Sequence, residues 1–152
     1  MTPLTTPSLA QLINRASRAL ARDADSVLKP LGLRYAQVPV LALLHEGLEL
    51  TQKELAETAG IEQSSMAQLL SRMDRDGLIR RTPNPRDARS QTITLAPHTD
   101  TQLTEAHERL ADLDGRAVAG FTDKEIDTLK HLLTRVSDNL DRKKGTVDNP
   151  VQ

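Results

Sequence analysis

The chain has 152 residues, 38% of them hydrophobic, with one Tyr, one Phe and no Cys or Trp. That length suits one ordinary domain, its core filled by Leu, Ile, Val, Ala and Met as in helix packing; the lack of cysteine excludes disulfides, thiolate zinc sites and thiol redox switching within the chain. A formal net charge of -1 speaks against wholesale attraction to phosphate, so the placement of charge matters more than its sum.

Met1 to Ser8 holds two prolines and no basic stretch, which predicts neither a signal peptide nor a transit peptide. A first helix is expected from Ser8, where Ser8 and Gln11 form a capping box, to Lys29, with Leu9, Leu12, Ile13, Ala16 and Leu20 at helical spacing. Pro30 and Gly32 end it. A second, largely buried helix is expected over Tyr35 to His45, with Pro39 in its first turn. Its Val38 to Leu44 stretch is the most apolar in the chain and far shorter than the roughly 20 residues of a membrane span. A cytoplasmic protein without membrane attachment is expected.

Thr51 and Glu54 make another capping box, opening a short helix with Leu55, Ala56 and Ala59 inward and Gly60 at its end. From Glu62 to Asp76 the apolar stripe is Met66, Leu69, Leu70 and Met73, a core face rather than a ligand box. Leu78 to Thr82 and Gln91 to Leu95 alternate as short strands, with Ile79, Ile93 and Leu95 inward. Pro83 to Arg89 between them reads as a projecting hairpin tip, and this hairpin is the only expected β-structure. Two long helices follow, one with Leu103, Ala106, Leu110, Leu113 and Ala117, the other, after a Thr122 to Glu125 capping box, with Ile126, Leu129, Leu133, Val136 and Leu140.

A short capped helix, a glycine turn and an amphipathic helix with a small polar first turn have the form of a helix-turn-helix, whose second helix offers its N-terminal side chains to base edges in the major groove. Gln63, Ser64, Ser65 and Gln68 suit that use, since Gln pairs with adenine in bidentate fashion and Ser contacts base or phosphate; Arg72 lies further along the same face. From Arg72 to Gln91 six arginines stand against three aspartates, a local excess of three positive charges. Arginine at a hairpin tip suits insertion into a narrow minor groove, which singles out Arg86 and Arg89. For Arg80 and Arg81 a phosphate contact and a solvated strand edge are equal alternatives.

Leu55-Ala56, Gly60-Ile61, Ser64-Ser65, Leu69, Arg72-Met73, Gly77-Leu78-Ile79-Arg80-Arg81 and Asp87-Ala88-Arg89 through Thr94-Leu95 resemble the signature of the MarR family of bacterial regulators. The resemblance covers nearly all the expected ordered chain, and its strongest part is the Asp-x-Arg wing motif. It implies a mainly α fold, a winged helix-turn-helix with a small β-hairpin wing and long N- and C-terminal dimerisation helices. It also implies that Arg89 reaches the minor groove and that Asp87 orients it. The sequence departs from the family at Glu62, often a Ser cap, and at Ala67 and Gln68, often larger or basic residues, which bears on the operator sequence rather than the fold.

The expected organisation is a dimerisation helix over 1–33, the DNA-binding domain over 34–96, C-terminal dimerisation helices over 97–144 and a disordered tail over 145–152. The implied function is that of a homodimeric repressor binding a pseudopalindromic operator on double-stranded DNA, two half-sites about one helical turn apart matching the dimer's twofold axis. The family's effectors, often phenolic or aromatic acids, suggest a small-molecule site with Arg15, Arg18 and Tyr35 as receivers of a carboxylate or ring. Two alternatives stand beside it. One is a zinc-responsive regulator using His45-Glu46 and His107-Glu108, although no i, i+4 His pair or closed ligand set is visible. The other is a winged helix serving as a protein-interaction module. No cofactor and no metal site is assigned. Ser64 and Ser65 lack a glycine-flanked elbow and a patterned His or acid, so no enzyme is expected.

Overall fold

The computed structural model describes residues 6–142; the tail expected over 145–152 lies outside them. The chain divides into two compact units, one up to Leu113 and one from Asp114 onward.

The first unit opens with α1 (Leu9–Leu28), where Ser8 Oγ accepts from the Gln11 N–H at 3.2 Å and the Gln11 side chain accepts from the Ser8 N–H at 2.8 Å. A 3-10 turn over Lys29–Leu31 follows, and a second over Tyr35–Gln37 precedes α2 (Val38–His45). The single helix expected over Tyr35 to His45 is thus a 3-10 turn running into a shorter α-helix. Pro39, which has no N–H to give to a preceding turn, stands at the start of α2 where that donor has no partner in any case.

Next come β1 (Leu50–Thr51), α3 (Gln52–Ala59), α4 (Gln63–Arg75), β2 (Ile79–Asn84), β3 (Asp87–Leu95) and α5 (Thr99–Ala117), which runs into the second unit. The sheet is antiparallel in the order β1-β3-β2, with Leu50 opposite Ile93 and Thr51 opposite Thr92. The hairpin is therefore not the only β-structure. Its strands also run through most of the expected tip: the turn is Pro85-Arg86 alone, and Pro83 pairs with Gln91. A proline is tolerated there because β2 is an edge strand, with a register irregularity between Pro83 and Asn84.

The core joins α1, α2, α3, α4, the sheet and the first half of α5. Leu28, Val40, Leu41, Leu55, Met66, Leu70, Met73 and Leu103 have no accessible surface, and Ile79 and Ile93 close it from the sheet. Of the residues expected inward, Ala59, Leu69, Leu95 and Leu110 are only partly buried. The start of α5 is fixed by polar contacts, Thr99 Oγ1 donating to the Leu78 carbonyl at 2.9 Å, Gln102 Nε2 to Leu31 at 2.9 Å and Arg109 Nη1 to Val27 at 3.1 Å.

The second unit holds the end of α5 and α6 (Asp123–Arg142), with Thr122 Oγ1 accepting from the Glu125 N–H. No residue of α6 is buried, and Leu129, Leu132, Leu133 and Leu140 are exposed. Among the described residues no single helix is long and apolar enough to cross a membrane.

The α3–α4 turn depends on Gly60, whose φ of 66° lies in the left-handed region and lets the Ile61 N–H reach the Ala56 carbonyl at 3.0 Å. Gly60→Ala is expected to destabilise the protein by about 1 kcal/mol. Gly115→Ala, within α5 and with nothing within 4 Å of the added Cβ, is expected to stabilise it by about 0.5–1 kcal/mol. Urea unfolding at one fixed protein concentration measures both; shifts of the same sign would contradict this assignment of turn and helix.

Candidate nucleic-acid interface

The geometry begins with α4. Met66, Leu70 and Met73 anchor one side in the core at zero exposure, so Gln63, Ser64, Ser65, Gln68 and Arg72 are left exposed on the outer surface. Glu62 occupies the N-cap position without making a side-chain cap bond. The first turn of α4 thus carries small polar side chains and backbone donors that no side chain caps.

The wing is held by its own polar groups. Asn84 is 9% exposed; its Nδ2 donates to Ser90 Oγ at 3.0 Å and its Oδ1 accepts from the Arg86 N–H at 3.0 Å. Ser90 Oγ donates to the Asp87 carbonyl at 3.3 Å, and Asp87 Oδ1 accepts from the Arg89 N–H at 3.0 Å. Thr82 and Thr92 hydroxyls meet across the hairpin at 2.9 Å. Asp87 therefore acts on Arg89 through the backbone, as in an Asx-type turn, and the Arg89 guanidinium forms no ion pair among the described residues.

Two further arginines are tied to the helix-turn-helix. Arg81 Nε lies 3.2 Å from Asp74 Oδ2, joining β2 to the last turn of α4, and Arg86 Nη2 lies 3.9 Å from Glu54 Oε1, joining the hairpin turn to α3. Glu54 also completes the α3 cap, its Oε2 accepting from the Thr51 N–H at 2.9 Å. Arg81, at 27% side-chain exposure, is the most enclosed arginine of the wing's ion pairs, whereas Arg72, Arg80 and Arg89 are exposed and form none among the described residues.

Between the first turn of α3 and the hairpin runs a groove of about 680 Å³, lined among others by Lys53, Gln63, Arg81, Arg89 and Gln91. It brings Gln63 of α4 together with Asp87 and Arg89 of the hairpin; Gln68 and Arg72 line a separate shallow depression along α4. Lys53, Gln91, Asn84 and Asp74 were not singled out by the sequence. Their positions depend on strand pairing and on tertiary partners, neither of which leaves a local periodicity.

The remaining candidates lie elsewhere. Arg15 and Arg18 are exposed on α1, and Tyr35 is 44% exposed beyond it, its N–H donating to Asp25 Oδ1 at 2.8 Å. No hydrogen bond or ion pair joins the three among the described residues. His45 Nδ1 lies 3.1 Å from Asp100 Oδ1 rather than against Glu46, and the described residues include no group of three or more metal-ligating side chains around it or around His107.

Residues 31–90 match the MarR family model. The chain is 25% identical over 124 residues to the uncharacterized HTH-type transcriptional regulator YwoH of Bacillus subtilis, covering 82% of this chain and 90% of that protein. It is 27% identical over 129 residues to the multiple antibiotic resistance protein MarR of Salmonella typhimurium, covering 84% and 90%. Among solved structures, a variant MarR from E. coli complexed with operator DNA superposes with a TM-score of 0.77 at 26% identity, covering 84% of this chain and 92% of that one. The transcriptional repressor CouR bound to a 23-mer DNA duplex superposes at 0.78 with 27% identity, covering 86% and 92%.

The wiring of the hairpin turn makes Asn84 its keystone. Asn84→Ala removes one donor and one acceptor from a nearly buried site and is expected to lower stability by about 1–2 kcal/mol and to speed amide hydrogen exchange at Arg86 and Arg89. An Arg86 amide exchanging as slowly in the variant as in the parent would contradict this assignment.

Proposed function

We propose that this chain, whose residues 31–90 match the MarR family model and which is similar to DNA-bound regulators of winged-helix fold, works as a cytoplasmic homodimeric repressor that reads a pseudopalindromic operator. The observation that carries this is the pairing of an exposed polar recognition face, Gln63, Ser64, Ser65, Gln68 and Arg72, with a wing whose turn is fixed and whose Arg89 guanidinium is left unpaired among the described residues. Gln and Ser side chains read base edges in the major groove. Arg89, and Arg86 once released from Glu54, enter the adjacent minor groove, where the enhanced negative potential favours arginine. No step of this function breaks or makes a covalent bond in the DNA.

Dimerisation is supported by the apolar surface the protomer leaves open. Leu9, Leu12 and Leu20 on α1 and Leu129, Leu132, Leu133 and Leu140 on α6 are exposed at 38–62%, and a second copy that covers them places two recognition helices on successive half-sites. An effector, a phenolic or aromatic acid received by Arg15, Arg18 and Tyr35, regulates binding by preferring the dimer geometry whose helix spacing mismatches the operator.

Selection of the purified protein against a random duplex library, followed by anisotropy across a salt series, is the decisive test. The expected result is an inverted repeat with half-sites about one turn apart and a steep fall of affinity with salt. Arg89→Ala is expected to weaken binding to the selected duplex on the order of tenfold and to relax base preference at the wing's position. Enrichment of no sequence, or an unaffected Arg89→Ala variant, would refute the wing assignment and favour an interaction module, whose apolar contacts would be insensitive to salt.

A further inference from the structure

We propose that the groove between α3 and the hairpin is the seat of the sugar-phosphate strand that divides the major groove from the minor groove, with Lys53 as its principal cation. This rests on the function proposed above. If α4 lies in the major groove and the hairpin turn in the neighbouring minor groove, one strand of the duplex must pass between them. The groove between α3 and the hairpin, which takes in Gln63 at the start of α4, is lined by Lys53, Gln63, Arg81, Arg89, Ser90 and Gln91.

The fold places these groups by sheet pairing. The register of Thr51 opposite Thr92 sets the first turn of α3 beside β3, so that Lys53, two residues past Thr51, and Gln91, one residue before Thr92, line the same groove. Gln52 and the base-reading candidates Gln63 and Arg89 line it as well, while three other polar side chains there are already committed. Arg81 is held by Asp74, Ser90 Oγ donates to the Asp87 carbonyl and accepts from Asn84, and Asp87 Oδ1 accepts from the Arg89 N–H. Lys53 is exposed and forms no ion pair among the described residues, and the Gln91 side chain, also exposed, makes no hydrogen bond among them. A free ammonium and a free amide in a groove of about 680 Å³ provide a charge and a directional donor for a phosphodiester. Lys53 is therefore a positioning contact that sets register, and sequence discrimination lies with α4 and the turn.

The test uses the full chain, the duplex chosen by selection and a scrambled duplex of the same length. Lys53→Ala is expected to weaken binding to both duplexes by the same factor and to reduce the slope of log affinity against log salt by about 0.9, the value for one phosphate on B-DNA. Lys53→Arg is expected to restore the slope, and Arg89→Ala in parallel to change the ratio between the two duplexes. Alanine suits the first turn of a helix, and unchanged circular dichroism and thermal midpoint exclude misfolding as the cause. An unchanged slope for Lys53→Ala, with the parent still preferring the selected duplex, overturns the proposal and leaves the DNA-reading function intact. A Lys53→Ala variant that alters the ratio between duplexes overturns it too, because Lys53 would then read bases. A parent chain that binds neither duplex overturns the function and the proposal together.

Discussion

The anchoring of α4 is the constraint on which the rest of the interface depends. Met66, Leu70 and Met73 are fully buried, and each such side chain contributes roughly 1.5–3 kcal/mol relative to exposure. With these residues on one side of a 3.6-residue helix, the rotation of α4 about its axis is fixed, and so is the set of residues it turns to solvent. A slip by one residue would carry Met66 or Met73 out of the core and Ala67 or Asp74 into it. The polar face is therefore as rigidly specified as the apolar one. Gly60 supplies the sharp reversal that lets α3 bury Leu55 and Ala56 against the same core.

Electrostatics then sorts the basic residues by task. The arginines from Arg72 to Arg89 belong to a chain whose total charge is slightly negative, and the structure divides them. Arg81 and Arg86 are paired with carboxylates of α4 and α3, which fasten the hairpin to the helices at its base and at its turn. Exposed pairs of this sort contribute about 0–1 kcal/mol, enough to bias the hairpin's position and little enough to be exchanged for phosphate. Arg86, at 74% exposure and 3.9 Å from its partner, is the easier of the two to exchange. Hydrogen bonds from Asn84 and Asp87 hold the turn independently of salt, so the wing keeps its form at the ionic strengths where its charges are screened.

Much of this was legible in the sequence because it is local. The capping boxes at Ser8 and Thr51, the glycine after α3 and the stripe from Met66 to Met73 each depend on residues within one or two turns. What was not legible depends on partners distant in sequence. β1 is two residues long, too short for alternation to register, and exists because Leu50 and Thr51 complete the open edge of β3. Pro83 and Asn84 look like loop residues, yet Pro83 is admitted by an edge strand and Asn84 is buried because Ser90 and the Arg86 N–H satisfy it. Lys53 offers no pattern at all, since the groove it lines exists only after the sheet has formed.

The exposed leucines carry the argument one step further. Most of a helix's stability in a protein comes from packing of its apolar face, yet α6, 20 residues long, has no residue buried. Its apolar positions nonetheless recur at three- and four-residue spacing through Ile126, Leu129, Leu133, Val136 and Leu140, the pattern of a helix that packs. If a second copy supplies the cover, as proposed, then the order of α6 and the formation of the dimer are one equilibrium rather than two, and the stability of the protein depends on its concentration. On the same proposed reading, this linkage would give an effector its leverage. A ligand that favoured one packing of the exposed stripes over another would alter the spacing of the two α4 helices of such a dimer without touching them, because each is fixed to its own core by Met66, Leu70 and Met73.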